Sequence, residues 1–246
     1  MEELKAPCIL VVAAHMGDFV WRCGGTIAKY AARGSRIKVL ILSDGLRGEA
    51  NAYWKQRNAT EMEGHALREA EGMKAAVVLG VHDVELWGLS DYPLLLERAH
   101  IEKLAHVIRD FRPDLILTHS DLDAFNPDHD DAHMLVRRAC ATSSAAGWRD
   151  GLPESARQTP ILGFEPHMTE ASNYMPSVYV DVSESFAVKL EAMKAFESQP
   201  NMRADYIRKA EMRGNEARSR GGRKGCVYAE AFKVFQPIAA SGELVW

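Results

Sequence analysis

The sequence is short of several things that would each point to a class of function. It has four cysteines, Cys8, Cys23, Cys140 and Cys226, and no two of them form a CxxC pair. That scatter argues against a disulfide framework and a cysteine-rich zinc module, and four reduced thiols in a cytoplasmic protein are expected. No apolar run approaches the ~18 residues that would span a bilayer, and the opening MEELKAP is charged rather than leader-like. Basic residues are not in excess: 30 Lys and Arg stand against 34 Asp and Glu, a formal net charge of -4. A general nucleic-acid binder needs a basic surface to neutralise phosphates, so neither nucleic acid nor a membrane is expected as a partner. Internal repeats and low-complexity linkers are also lacking.

What is present has the proportions of an ordinary globular protein, 47% hydrophobic and 26% charged over 246 residues. A chain this long can bury roughly 70 to 75% of its unfolded surface, so one domain over residues 1–246 needs no staples. Short apolar runs alternate with helical spacing. Strands are expected at 8–14, 36–45, 83–93 and 113–120, and helices at 19–34, 53–80, 94–111 and 129–147. The later third adds strands at 160–167, 177–182 and 226–235, a helix at 184–199 and a basic helix-loop arm at 202–225. This alternation predicts an α/β fold of Rossmann-like type, a doubly wound, mainly parallel sheet flanked by helices. Ligands bind such sheets at the carboxyl ends of the strands.

The polar candidates fall at those ends. His15 and Asp18 follow the first strand, Asp44, Arg47 and Glu49 the second, Tyr92 the third, and His119, Asn126, Asp128 and His129 the fourth. Imidazole and carboxylate together suit a divalent metal, and catalytic zinc takes three protein ligands with one position left open. His15, Asp18 and His129 would supply that set for Zn2+ or another divalent transition metal.

The stretch AAHMGDFVWRCGG (13–25), the turn SDG (43–45), NPDHDDAH (126–133) and YAEAF (228–232) resemble the PIG-L/LmbE-like zinc deacetylase superfamily. Its usual first motif reads AHPDDE and its second HPDH. The resemblance implies that fold over nearly the whole chain, with His15, Asp18 and His129 as metal ligands. The departures are informative. Met16 stands for the Pro, Gly17 for the Asp that serves the deacetylases as general base, and Phe19 for the final Glu, while Asn126 replaces a His that helps stabilise the oxyanion. Amide hydrolysis needs a base for the attacking water, a contribution of ~10²–10⁴-fold, and glycine supplies none.

AHMGDFVWRCGG, RGE, SDYPL and FEPH, with the YAEAF ending, resemble the hydratase branch of that superfamily. That resemblance implies addition of water across the C=C of 4-oxalomesaconate, giving 4-carboxy-4-hydroxy-2-oxoadipate, in gallate or protocatechuate catabolism. It also implies Glu49 and His167 as the acid-base residues, with Glu49 the candidate for activating water, and the sequence leaves open which of the two is the acid. A small-molecule polycarboxylate needs cations, and arginine's planar fork suits carboxylates; Arg22, Arg47, Arg213 and Arg218 are the candidates, with Tyr92 and Asn126 as neutral hydrogen-bonders. Superfamily habit and the basic arm imply a homo-oligomer. Two other readings stay open. One is a zinc-dependent N-deacetylase of an N-acetyl amino sugar, in which Glu49 or Asp128 replaces the missing base; the other is a noncatalytic metal-binding protein.

Overall fold

A computed structural model describes residues 6–155 and 159–236 of the chain, so most of the charged opening segment and both ends of the expected 1–246 span lie outside it. The elements run β1 (Ile9–His15), α1 (Asp18–Ala31), β2 (Ile37–Ser43), α2 (Asn51–Trp54), α3 (Glu61–Val78), β3 (Asp83–Leu86), α4 (Arg98–Phe111), β4 (Leu115–Thr118) and α5 (Pro127–Ser143). They continue with β5 (Ile161–Phe164), β6 (Val178–Asp181), α6 (Phe186–Met193), α7 (Met202–Ser219) and β7 (Ala229–Val234). The strands form one sheet ordered β3-β2-β1-β4-β5-β7-β6. The pairs from β3 through β5 are parallel, and β7 alone runs against its neighbours.

Side-chain alternation along β1 feeds two cores. Ile9, Val11 and Ala13 pack with Phe19, Ala75 and Met193 on one face, and Leu10, Val12 and Ala14 with Leu104, Ile108 and Val136 on the other. A strand covered on both faces must be apolar at every position, which is why ILVVAA reads as a continuous run. The chain leaves β1 toward β2 on one side and pairs it with β4 on the other, so the order reverses at β1. The crevice at that reversal opens at His15 and Thr118, the carboxyl ends of β1 and β4.

Three elements differ from their sequence expectation. The helix expected over 53–80 breaks before Glu61, because Thr60 is extended and its hydroxyl accepts the Glu63 N–H at 3.3 Å while meeting the Glu63 carboxylate at 3.0 Å. A capped start outcompetes continuation. α1 is kinked at Cys23, whose φ of -141° is not helical, and Gly25 and Thr26 beyond it donate to the Glu230 carboxylate at 2.9 and 2.7 Å. Lys189 meets the same carboxylate at 2.6 Å. The basic segment 202–225 forms a helix, α7, followed by a loop, as expected, but α7 packs into the fold and buries Tyr206, Ala210, Arg213, Gly214 and Ala217. No helix among the described residues is long and apolar enough to cross a membrane.

Candidate metal centre and active site

His15 closes β1, and Asp18 opens α1 after a two-residue turn, so the Asp18 carboxylate folds back to accept the His15 N–H at 2.8 Å. His129 lies in the first turn of α5, which Pro127 starts at the crevice. All three are buried. Their free ligand atoms converge: Nδ1 of His15 is 3.5 Å from one Asp18 oxygen and Nε2 of His129 is 3.6 Å from the other. Both nitrogens are buried without a hydrogen-bond partner.

The far side of each imidazole is tied to a carboxylate. His15 Nε2 donates to Asp128 at 3.1 Å, and His129 Nδ1 to Asp123 at 2.9 Å. An imidazole with a carboxylate behind one nitrogen and a bare lone pair on the other is the arrangement that metal-ligating histidines adopt. One ligand atom from each residue comes within 4.8 Å of the others in two overlapping groups, His15, Glu49 and His129, and Asp18, His119 and His129, so the chemistry of the donors suits a divalent metal, and the expected set His15, Asp18 and His129 draws on both groups. His119 stacks on His129 with ring centroids 4.0 Å apart, but its Nε2 accepts the Ala14 N–H at 3.0 Å, which spends the lone pair nearest Asp18. Arg22 is buried behind Asp18, donating to it at 3.1 Å and to the Glu165 carbonyl at 2.7 Å.

The charge distribution agrees with a cation site. Burial works against a charged His15, yet Asp128, Asp18 and Glu49 outweigh it and pull the imidazole up to about 10. Carboxylates there favour positive charge at the ring. Burial pushes His119 down to about 4 and His129 well below the ordinary imidazole value, so both are neutral, the form a ligating imidazole needs, whereas His15 would have to give up its extra proton to a metal.

Glu49 stands at the open side of the cluster, 3.7 Å from His15 Nδ1. Three neutral donors hold it: Asn126 Nδ2 at 3.0 Å and Tyr92 Oη at 3.2 Å on one oxygen, Gln199 Nε2 at 2.9 Å on the other. The Tyr92 ring lies so close over Gly48 that a Cβ there would sit 2.1 Å from it. At Gly17 a Cβ would stand 2.5 Å from Trp21 Nε1 and 2.8 Å from Gln199 Oε1. Position 17 thus lacks both a carboxylate and the room for one.

The family profile of GlcNAc-PI de-N-acetylases, PIG-L, matches residues 10–140. The chain belongs to the PIG-L family. Among curated relatives of this PIG-L chain, 4-oxalmesaconate hydratase of Pseudomonas putida is 34% identical over 231 residues, 93% of this chain and 89% of that one. Diacetylchitobiose deacetylase of Thermococcus kodakarensis is 30% identical over 78% of this chain and 69% of its own length. The crystal structure of GalB, the 4-carboxy-2-hydroxymuconate hydratase of Pseudomonas putida, superposes with a TM-score of 0.91 at 33% identity, covering 96% of this chain and 99% of that one.

On this PIG-L scaffold the remaining sequence candidates are spread unevenly. His167, after β5, has its ring 6.2 Å from that of His129 and its Nδ1 3.3 Å from the Tyr206 hydroxyl. Arg47 is exposed at the rim, on the Ser90 hydroxyl at 3.3 Å. Arg213 and Arg218 do not reach the cluster. Arg213 makes a two-pronged pair with Glu165 at 2.7 and 3.0 Å, and Arg218 binds the Cys226 carbonyl and Asn215. Asp128 is likewise spent, on His15 and on the Tyr92 and Leu94 N–H groups at 2.9 and 2.8 Å, so it is not a free base. Asp123, Gln199 and Tyr206 join the site without any signal in sequence spacing, whereas Trp21 lies in the AHMGDFVWRCGG stretch, whose resemblance assigns it no role. An open hollow of about 530 Å³ beside His167 is lined by Met168, Tyr206, Arg208 and Lys209.

Proposed function

We propose that this chain is a metal-dependent hydratase acting on 4-oxalomesaconate, whose enol form is 4-carboxy-2-hydroxymuconate, to give 4-carboxy-4-hydroxy-2-oxoadipate. The observation that carries this reading is the position of the Glu49 carboxylate. Glu49 stands beside His15, Asp18 and His129, the proposed donor set, while Trp21 and Gln199 occupy the space a base at position 17 would need. The hydratase names found by both the sequence and the structure comparison support the same reaction class.

When bound, a divalent ion such as Zn2+ on His15, Asp18 and His129 would polarise substrate oxygens. Glu49 takes a proton from water, and the water oxygen bonds to one alkene carbon. The alkene electron pair moves to the neighbouring carbon, conjugated with the carbonyl; burial holds His167 down at about 3 and so neutral, and it passes a proton there from one ring nitrogen while taking one from solvent on the other. Exchange with solvent returns Glu49 to carboxylate. Positioned acid-base groups of this kind contribute ~10²–10⁴-fold each. Arg208 and Lys209 line the hollow beside His167 but are themselves paired, Arg208 with Asp205 and Lys209 with Glu165, so a polycarboxylate would have to draw them from those partners. Arg47 at the rim is a third cation. We place the reaction in cytoplasmic breakdown of an aromatic acid such as gallate or protocatechuate, and expect a homo-oligomer.

The deciding assay follows loss of the conjugated absorbance of 4-oxalomesaconate with zinc-loaded protein, beside acetate release from an N-acetylglucosamine conjugate. Absorbance loss without acetate is expected. Acetate release with unchanged absorbance would overturn the hydratase reading.

A further inference from the structure

Gln199 belongs to no motif and follows α6 in an irregular stretch, yet it touches the proposed base directly. Its side chain is buried, and its carbonyl oxygen accepts from Trp21 Nε1 at 3.3 Å and from Arg68 Nη1 at 3.1 Å. Arg68 is itself wholly buried, tied to the Asp44 carbonyl at 2.9 Å, to Glu71 at 3.2 Å and to Ser198 at 2.8 Å. Two donors on the carbonyl side decide which way the amide faces. A flipped amide would set its NH2 against the donors Trp21 and Arg68 and its oxygen against a carboxylate. The NH2 therefore faces Glu49, at 2.9 Å.

We infer that Gln199, fixed by Trp21 and Arg68, is the positioning residue that holds Glu49 as the proton acceptor of this site, and that Trp21 and Gln199 together exclude a base at position 17. The inference rests on the hydratase reading for the role of Glu49 as proton acceptor and for the choice of assay. Donation is one-directional from Arg68 through Gln199, so Glu49 can only accept at its second oxygen. The first oxygen, on Asn126 and Tyr92, faces His15. Held at both ends, the carboxylate cannot swing away from the cluster. The Trp21–Gln199 contact sits where a Cβ at 17 would intrude, so one pair of side chains both closes the deacetylase position and orients its replacement. This makes Gln199 specificity-determining without placing it on the reacting atoms.

The test is a double-mutant cycle with zinc content and melting temperature measured on every variant. Gln199→Glu keeps shape and still accepts from Trp21 and Arg68, but sets a carboxylate against Glu49. Gln199→Leu removes donation altogether. Each should lower kcat by about 10- to 100-fold, the scale of a misplaced catalytic group, with KM changed less than about threefold and zinc retained. In the Glu49→Gln background the same changes should cost less than about twofold, because coupled residues are non-additive. Equal losses in both backgrounds would overturn the inference while leaving the hydratase reading intact. A wild-type protein inactive on 4-oxalomesaconate would instead overturn that reading. The inference is then decided by a crystal structure of Gln199→Glu: Glu49 turned away from position 199 is the expected result, and Glu49 in place refutes it.

Discussion

The Asp128 carboxylate reaches Nε2 of His15 at 3.1 Å while both of its oxygens accept backbone N–H groups, from Tyr92 and Leu94. The loop after β3 is thereby locked to a histidine at the end of β1. Asp128→Asn keeps the shape but weakens the acceptor and lets the amide turn. Metal affinity is expected to fall ~10–100-fold, the usual cost of losing a carboxylate behind a ligating imidazole. Chelator competition with the zinc-loaded protein measures this, and an unchanged affinity would remove Asp128 from the metal site.

Glu49→Gln should retain full metal content, since His15, Asp18 and His129 are untouched. Turnover should fall by ~10²-fold or more, the scale of losing a general base. Near-normal turnover would assign proton abstraction to another group.

Gly17→Asp restores the residue expected of a deacetylase, but its Cβ would meet Trp21 Nε1 at 2.5 Å. Overpacking of this kind costs ~1–3 kcal/mol. A lower Tm, slower hydration and no acetate release from N-acetylglucosamine conjugates are expected. Deacetylation by this single variant would mean that Trp21 and Gln199 yield easily.

Arg213 is bound into Glu165 rather than waiting for substrate. Burial pushes the Glu165 carboxyl up, but hydrogen bonds and charge from Arg213 and Lys209 outweigh it and hold it below the ordinary carboxylate value. A lowered folded-state value stabilises the fold above the unfolded pKa, and that contribution fades as pH falls toward the folded one. Glu165→Gln should therefore lower Tm by roughly 5 °C or more near neutrality, as breaking a buried pair does, and by less at about pH 3.5. A gap of constant size would show that the ion pair contributes nothing.

The parallel sheet was legible because a doubly covered strand must be apolar throughout, and Ile9–Ala14 can hardly be read otherwise. His15, Asp18 and His129 were legible because each stands at a strand end or first helical turn, where backbone geometry determines where a side chain goes. Asp123 and Gln199 were not, since their roles depend on contacts between loops that spacing does not encode. Charge misled at Arg213 and Arg218: a basic run states how many cations there are, not which carboxylates or carbonyls already hold them. The Thr60–Glu63 cap is written in the sequence, but helical spacing on both sides conceals the break it causes.

The Glu230 carboxylate closes the amide ends exposed by the kink in α1, and Glu230 lies in the last strand. The helix that carries Asp18 and Arg22 is thus completed by a residue some two hundred positions later in the chain. The bond crosses from the half of α1 beyond its kink to β7, so the antiparallel end of the sheet is fastened to the same helix whose first turn enters the site.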